Sequence, residues 1–380
     1  MKKVTCLVLA VVMAAMCFAC AGGKASNATA IKLGGTAPLT GGAAIYGNAV
    51  KQGAEIAVEE VNALGGVQFE IKFEDDTHDA EKAVNAYNAL KDWGMQISLG
   101  SVTSKPCEAT ATENFADRIF ALTPSASSTA ATEGKDNVLQ MCFADPNQGS
   151  ASAQYIFDKK LGTKIGVIWK NDDVYSKGIY ATFVEKAAEL GLEIVSDTTF
   201  TSDSENDFSV QLTDAQGAGA DILFLPMYYT PASLILTQAN SMGYAPKFFG
   251  MDGMDGILTL DNFNTSLAEG VMLLTPFNAD ATDAKTVSFV KKYQEKYGEI
   301  PNQFAADAYD CVYAYYQACT NAGITPGMKA ADICEKMIEQ FTTMTFDGLT
   351  GSGMTWDKTG AVSKSPKGMV INNGAYVGME

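Results

Sequence analysis

The residues able to do chemistry in this 380-residue chain gather in six short polar stretches, 36–46, 101–104, 123–128, 171–176, 227–230 and 251–255. Hydroxyls dominate two of them: Thr103 and Ser104, then Ser125, Ala126 and Ser127 with Ser128 after them. The last three supply Tyr175, Tyr228 and, directly before Gly253, the acid Asp252. Hydroxyls and helix-start amides hold a carboxylate, a carboxylate holds an ammonium, and both interactions strengthen in a dry pocket. The set fits a small zwitterion, with Tyr46, Tyr175 and Tyr228 flanking an apolar group. Each position also has a purely structural reading. Tyr46 suits a helix N-terminal staple, Tyr228 and Tyr229 suit buried strand ends, and Ser125, Ser127 and Ser128 suit turns or caps. Asp255 lies beyond the turn and is expected outside the site.

Other chemistry is constrained by absences. His78 is the only histidine, set among acids in residues 74–79, so a histidine-based triad or zinc site is not expected and His78 reads as a surface loop residue. The single arginine, Arg118, precedes a strand rather than following one. It reads as a surface ion-pair residue, not as a clamp on a carboxylate. Beyond Cys17 and Cys20 at the end of the leader no C-x-x-C pair occurs, and the glycines of 34–42 lack dinucleotide-loop spacing, so no metal, cofactor or catalytic set is expected.

These loops need a scaffold, and the hydrophobic periods provide one. Strands are expected at 31–35, 69–73 and 97–100, alternating with helices at 47–64 and 80–91. After a break at 144–146 the rhythm resumes, with helices at 150–161, 176–190, 207–216 and 231–242 between strands at 164–169, 192–196, 221–225, 247–250 and 270–274. Pro276 marks a second break, followed by helices at 284–297, 303–322 and 330–341 and short strands to the end. Strand–helix alternation implies parallel sheets with right-handed crossovers, and the length calls for two cores. Such sheets bind ligands beyond the C-terminal ends of their strands, where the six polar stretches fall. The expected fold is α/β, two doubly wound parallel-sheet lobes. Lobe 1 comprises 31–144 with 277–356, and lobe 2 comprises 145–276 with 357–380.

Lys2 and Lys3 precede an uncharged run to Phe18, then Ala19 and Cys20, which reads as a signal peptide over 1–19 with lipidation of Cys20. Residues 20–30, poor in anything to bury, read as a tether. Loss of the leader takes the net charge from −17 to −19, which disfavours nucleic acid and anionic lipid surfaces. Of eight cysteines, Cys107, Cys142, Cys311, Cys319 and Cys334 remain, an odd number that fixes no disulfide framework.

From about 31 to 378 the chain resembles the branched-chain amino-acid-binding proteins, the leucine/isoleucine/valine-binding family of periplasmic-binding-protein type I fold. Colinear segments carry the resemblance: 41–47, Val61-Asn62-Ala63-Leu64-Gly65-Gly66, Glu74-Asp75-Asp76, Thr123-Pro124-Ser125-Ala126-Ser127, Asp207-Phe208 and 354–360. It implies a three-crossing hinge, an exported monomer in the periplasm or on the outer face of the cell membrane, and delivery of a neutral amino acid to an ABC permease and ATPase. It also implies that Ser104, beside Thr103, holds the ligand carboxylate and that the loop of Ser125, Ala126 and Ser127 holds carboxylate and ammonium. Tyr46 would pack on the side chain, and Tyr175, Tyr228 and Asp252 would close from the second lobe, Asp252 on the ammonium. Two departures stand out. The cysteine pair of some members falls on Thr77 or His78 and on Thr103, and Asp252 replaces the Glu of the best-known members. A sensory binding module of the same fold is the alternative function.

Overall fold

The computed structural model describes residues 28–379; the signal peptide, Cys20 and most of the tether lie outside the described residues. Chain order in the first unit is β1 (Ile31–Ala37), α1 (Ala44–Ala63), β2 (Phe69–Asp75), α2 (Ala80–Trp93), β3 (Ile97–Ser101), α3 (Ser104–Asp117), β4 (Phe120–Thr123) and β5 (Val138–Gln140). The second unit follows with α4 (Asp145–Asp158), β6 (Lys164–Lys170), α5 (Val174–Leu190), β7 (Glu193–Phe200), α6 (Ser209–Ala218), β8 (Ile222–Leu225), α7 (Tyr229–Ser241), β9 (Lys247–Gly250) and β10 (Met272–Thr275). Then come α8 (Ala284–Tyr297), α9 (Gln303–Ala322) and α10 (Ala330–Phe341), which pack back on the first unit, and β11 (Lys367–Asn372) and β12 (Ala375–Gly378), which join the second sheet.

The sheet orders are β2-β1-β3-β4-β5 and β12-β11-β10-β9-β8-β6-β7. All pairings are parallel except β10–β11 and β11–β12, which are antiparallel. The chain passes between the sheets three times, after β5, after β10 and before β11. Central strands β3, β4 and β8 are buried on both faces, which is why they read as short continuous apolar runs. Strand order reverses around β1 and β3 in one sheet and around β6 and β8 in the other, so each sheet has a crevice at the carboxyl ends of those strands. The two crevices meet.

Two local features differ from expectation. Residues 104–117 form a helix that periodicity does not reveal, because its buried face is Pro106, Cys107, Thr110, Ala111 and Asn114, with Phe115 turned outward. The closing strands run antiparallel as a hairpin on the sheet edge. All five described cysteines are free and buried. Among the described residues no helix is long and apolar enough to cross a membrane.

Candidate functional site

The first-unit half of the cleft is built at helix starts. Beyond β1, Asp75 fastens the loop by accepting the Leu39 N–H at 2.9 Å and the Thr40 hydroxyl at 2.6 Å. That loop delivers Tyr46 in the first turn of α1, 2% exposed. Beyond β3, Thr103 is the N-cap of α3 and Ser104 its first residue; no side chain caps this end, leaving first-turn amides for another partner. Beyond β4, the Thr123 hydroxyl accepts the Ala126 N–H at 3.0 Å, and the Ser125 hydroxyl donates to the Val102 carbonyl.

The second-unit half uses aromatic rings and one acid. Asp173 caps α5 by accepting the Ser176 N–H at 3.0 Å and so places Tyr175 in its first turn. Tyr228, the N-cap of α7, stacks on Tyr175 with centroids 4.6 Å apart and planes 7° from parallel. The Tyr175 hydroxyl donates to Asp252 Oδ1 at 2.6 Å and accepts the Gly253 N–H at 3.0 Å. A Cβ at Gly253 would stand 2.7 Å from that hydroxyl and 3.0 Å from the Tyr228 ring, so this approach requires glycine.

The halves are closed on each other. The Tyr46 hydroxyl donates to the Gly253 carbonyl and accepts the Tyr229 N–H at 3.1 Å, Ile45 N–H donates to the Tyr229 hydroxyl at 3.2 Å, and the Thr230 hydroxyl donates to the Gly42 carbonyl at 2.8 Å. Between them lies a cavity of about 10 Å³, room for about one water. Tyr46, Thr103, Ser104, Ser125, Tyr175, Tyr228 and Asp252 line it together. Ala126 and Ser127 do not: Ala126 is core, and Ser127 is 1% exposed with its hydroxyl unpartnered behind the cavity wall.

Asp252 dominates the electrostatics. Burial pushes its carboxyl up to about 7, against the hydrogen bonds from Tyr175, Gln148 and the Gly253 amide, and buried Asp307 adds to the rise. No ion pair among the described residues includes it. A dry carboxylate without a cation is a poised receptor for one. No cluster among the described residues is arranged to hold a metal ion.

Sequence reasoning missed four groups here. Val102, Gly253 and Phe304 also line the cavity, and Phe304 meets Tyr46 edge-on at 4.8 Å from the first turn of α9. The Asn302 cap before that helix was a readable signal. His78 is the fourth, and it is no surface loop residue. Its Nδ1 lies 2.8 Å from the Thr103 hydroxyl, and its ring meets Tyr228 of the other unit edge-on at 5.5 Å. Burial, helped by Lys170 and Lys105, pushes the imidazole down to about 4. Asp255 does not line the cavity; it is 4% exposed and accepts the Gln303 N–H at 3.0 Å. Arg118 pairs with Asp136 and Glu335 away from the cleft.

Comparison with known proteins places these observations. The sequence profile described as periplasmic binding protein matches residues 30–374. The Leu/Ile/Val-binding protein homolog 3 of Brucella melitensis is 30% identical over 247 residues, 64% of this chain and 67% of that protein. The crystal structure of the branched-chain amino acid transporter substrate binding protein LivJ from Streptococcus pneumoniae, in complex with isoleucine, is similar with a TM-score of 0.82 at 28% identity, over 92% of this chain and all of that one. A solute binding protein of an ABC transporter from R. palustris, solved with benzoate, shares the fold with a TM-score of 0.82 at 19% identity, over 92% of this chain and 95% of that one.

Proposed function

The chain belongs to the periplasmic binding protein family, and from that premise we propose that it closes two lobes on a neutral L-amino acid, branched-chain or otherwise hydrophobic, and delivers it to an ABC permease and ATPase complex. Its relatives and fold are those of solute-binding proteins of ABC transporters, so it binds its ligand rather than transforming it. One observation carries the ligand class: Asp252, 3% exposed and without a cation, lines the same small cavity as the hydroxyls of Thr103 and Ser104 at the start of α3. An ammonium meets the acid and a carboxylate meets the helix start. Tyr46, Tyr228 and Phe304 offer apolar ring faces to a ligand side chain. Ser125 contributes its backbone, since its hydroxyl is engaged with Val102.

In this reading lobe 1 comprises 31–144 and 277–356, lobe 2 comprises 145–276 and 357–380, and the protein acts as an exported monomer. Cys20 carries the lipid that holds it at the membrane. Replacing that residue, Cys20→Ser, should move the protein from the detergent phase to the aqueous phase on partitioning; unchanged partitioning would remove the anchor.

The binding test is a thermal-shift screen of all common amino acids beside benzoate and its hydroxylated relatives. A ligand at a hundred times its Kd adds about 2.7 kcal/mol of stability, which such a screen detects readily. A neutral amino acid should give the largest shift. A response confined to aromatic carboxylates would overturn the reading, because those ligands bring no cation to Asp252.

A further inference from the structure

Thr103 is an N-cap whose hydroxyl does not cap. A threonine before a helix ordinarily turns its oxygen to the N–H of the second or third helical residue. Here the third is Pro106, which has none, and the hydroxyl turns instead to His78 Nδ1 at 2.8 Å. The loop that carries His78 is built for this contact. Thr77 and His78 both hold left-handed backbone, with φ of 49° and 64°, a conformation uncommon outside glycine and ordinarily visited by single residues. Two acids keep it in place: Asp75 Oδ1 accepts the Thr77 N–H and Asp76 Oδ1 the His78 N–H, each at 2.9 Å, and Asp76 is fully buried. Backbone strain held by such partners points to a task for the side chain that it aims.

What His78 does to Thr103 depends on one proton. A neutral imidazole has a single N–H, and a hydroxyl has one hydrogen and two lone pairs. If Nδ1 is bare, Thr103 donates to it and shows only lone pairs to the cavity. If Nδ1 carries the hydrogen, Thr103 accepts it and keeps its own hydrogen for the cavity. Ser104, which lines the same cavity, is arranged in the second way: its Oγ accepts the Ser128 N–H at 3.2 Å, so its hydrogen is free. Ser125 is the opposite case, its hydroxyl engaged with the Val102 carbonyl. Burial, with Lys170 and Lys105 acting against Glu205 and Asp79, keeps the imidazole neutral at neutral pH, so its tautomer decides which face Thr103 presents.

We propose that His78 is a positioning residue for carboxylate recognition: as the Nδ1–H tautomer it donates to the Thr103 hydroxyl oxygen and turns the Thr103 hydrogen into the cavity, beside that of Ser104. This rests on the carboxylate half of the amino-acid reading above and deepens it. Two hydroxyl hydrogens and the start of α3 then meet one carboxylate, and an N–H behind each hydroxyl orients it before the ligand arrives. The other tautomer would aim Thr103 lone pairs at the carboxylate and repel it.

Nitrogen NMR of the untagged protein reads the tautomer directly, because bare and protonated ring nitrogens resonate far apart and the chain has no other histidine. With isoleucine bound, Nδ1 should carry the hydrogen; a bare Nδ1 in that complex would overturn the proposal. Calorimetry supplies the second readout. His78→Ala should weaken isoleucine by roughly tenfold, the scale of one hydrogen bond to a charged group. His78→Asn should recover binding to within about threefold of wild type, since its amide NH2 donates from near the position of Nδ1 and Asn tolerates left-handed backbone. A role through ring packing on Tyr228 alone would be lost in both variants alike. Equal losses in the two, or no loss in the folded His78→Ala protein, would therefore overturn the positioning role. Benzoate separates this inference from the reading it rests on: a protein that binds benzoate with Nδ1 protonated, and no amino acid, would support the role of His78 while overturning the amino-acid reading.

Discussion

Asp307 and Asp252 are both buried carboxyls near the hinge, and the chain treats them in opposite ways. Asp307, on α9, meets Lys364 Nζ at 2.5 Å with both side chains 1% exposed, and Lys364 also donates to the Thr350 hydroxyl at 2.6 Å. Lys364 lies on the third passage between lobes, so this pair pins that passage to α9. The Asp252 carboxyl has the Tyr175 phenol, the Gln148 amide and the Gly253 N–H in reach, and no cation. Burial pushes both carboxyls up, Asp307 to about 6 and Asp252 to about 7, but only Asp307 has a lysine working against the rise. A buried acid with its own cation is architecture; a buried acid without one is waiting for a ligand.

Neutralising each acid should separate the two roles. Asp252→Asn should cost amino-acid binding about 2–5 kcal/mol, roughly 30- to several-thousand-fold in Kd, as for loss of a desolvated charge pair. Asp307→Asn should instead destabilise the fold by about 3–5 kcal/mol, because it leaves Lys364 buried and unpaired, while the folded fraction still binds. Calorimetry beside urea melts decides. An Asp252→Asn protein binding within threefold of wild type would end the distinction.

The ligand-free protein sharpens the same contrast through pH. Since the native Asp252 carboxyl titrates near 7 rather than near its ordinary 3.8, native stability is fully present below the ordinary value and is lost as pH rises through 7. Three units correspond to an upper bound of about 4 kcal/mol. Asp252→Asn should therefore match wild type at pH 4 and exceed it by ~2 to 4 kcal/mol at pH 8. Asp307→Asn should fall below wild type at pH 8, the opposite sign. Urea midpoints across this range test both.

His78 provides a base in place of an acid, and its sign reverses again. Its imidazole titrates near 4 in the closed cleft against an ordinary 6.5, so closure is fully supported above 6.5 and loses support as pH falls towards 4. If opening restores an ordinary imidazole, ligand affinity should drop about tenfold between pH 7.5 and 5.5 from this residue alone. Asp252 titrates in the same interval, so the quantity to measure is the excess over a His78→Asn variant. Equal profiles in the two proteins would remove His78 from the closing contact.

How much of this was legible in the sequence depended on where each signal lay. Helices α8 and α9 were readable to their ends because each starts at a capping Asp283 or Asn302 and stops at a glycine, and α10 because its buried Ile333, Cys334, Met337 and Phe341 keep helical spacing. The helix over 104–117 was not, because the wall behind the cleft takes small and polar residues rather than large ones. The polar loops could be found from their place after strands, yet depth could not: Ser127 looks alike in sequence to Ser104 and Ser125, which line the cavity. His78 misled for a related reason. Its partners Thr103 and Tyr228 are 25 and 150 positions away, and only the two sheets bring them to it. Local pattern reveals which elements form; it does not reveal which side chains share a buried space.

The smallest expected effect belongs to a neutral contact that crosses the cleft where Asp252 does not. The Tyr46 hydroxyl reaches from α1 to the Gly253 carbonyl while accepting the Tyr229 N–H, so it ties lobe 1 to both sides of the Asp252 loop. Tyr46→Phe removes the hydroxyl and keeps the ring against Tyr228, Tyr229 and Phe304. Neutral hydrogen bonds contribute about 0.5–1.5 kcal/mol each, and these form only on closure, so the substitution should weaken every ligand by roughly three- to tenfold whatever its charge. Tyr46→Ala should add a penalty that varies with the ligand's side chain, since it also removes the packing surface. The pattern across ligands matters more than its size. A Tyr46→Phe protein that discriminated between an amino acid and its des-amino analogue as strongly as Asp252→Asn does would mean that the charge contrast between the two buried acids is not what selects the ligand.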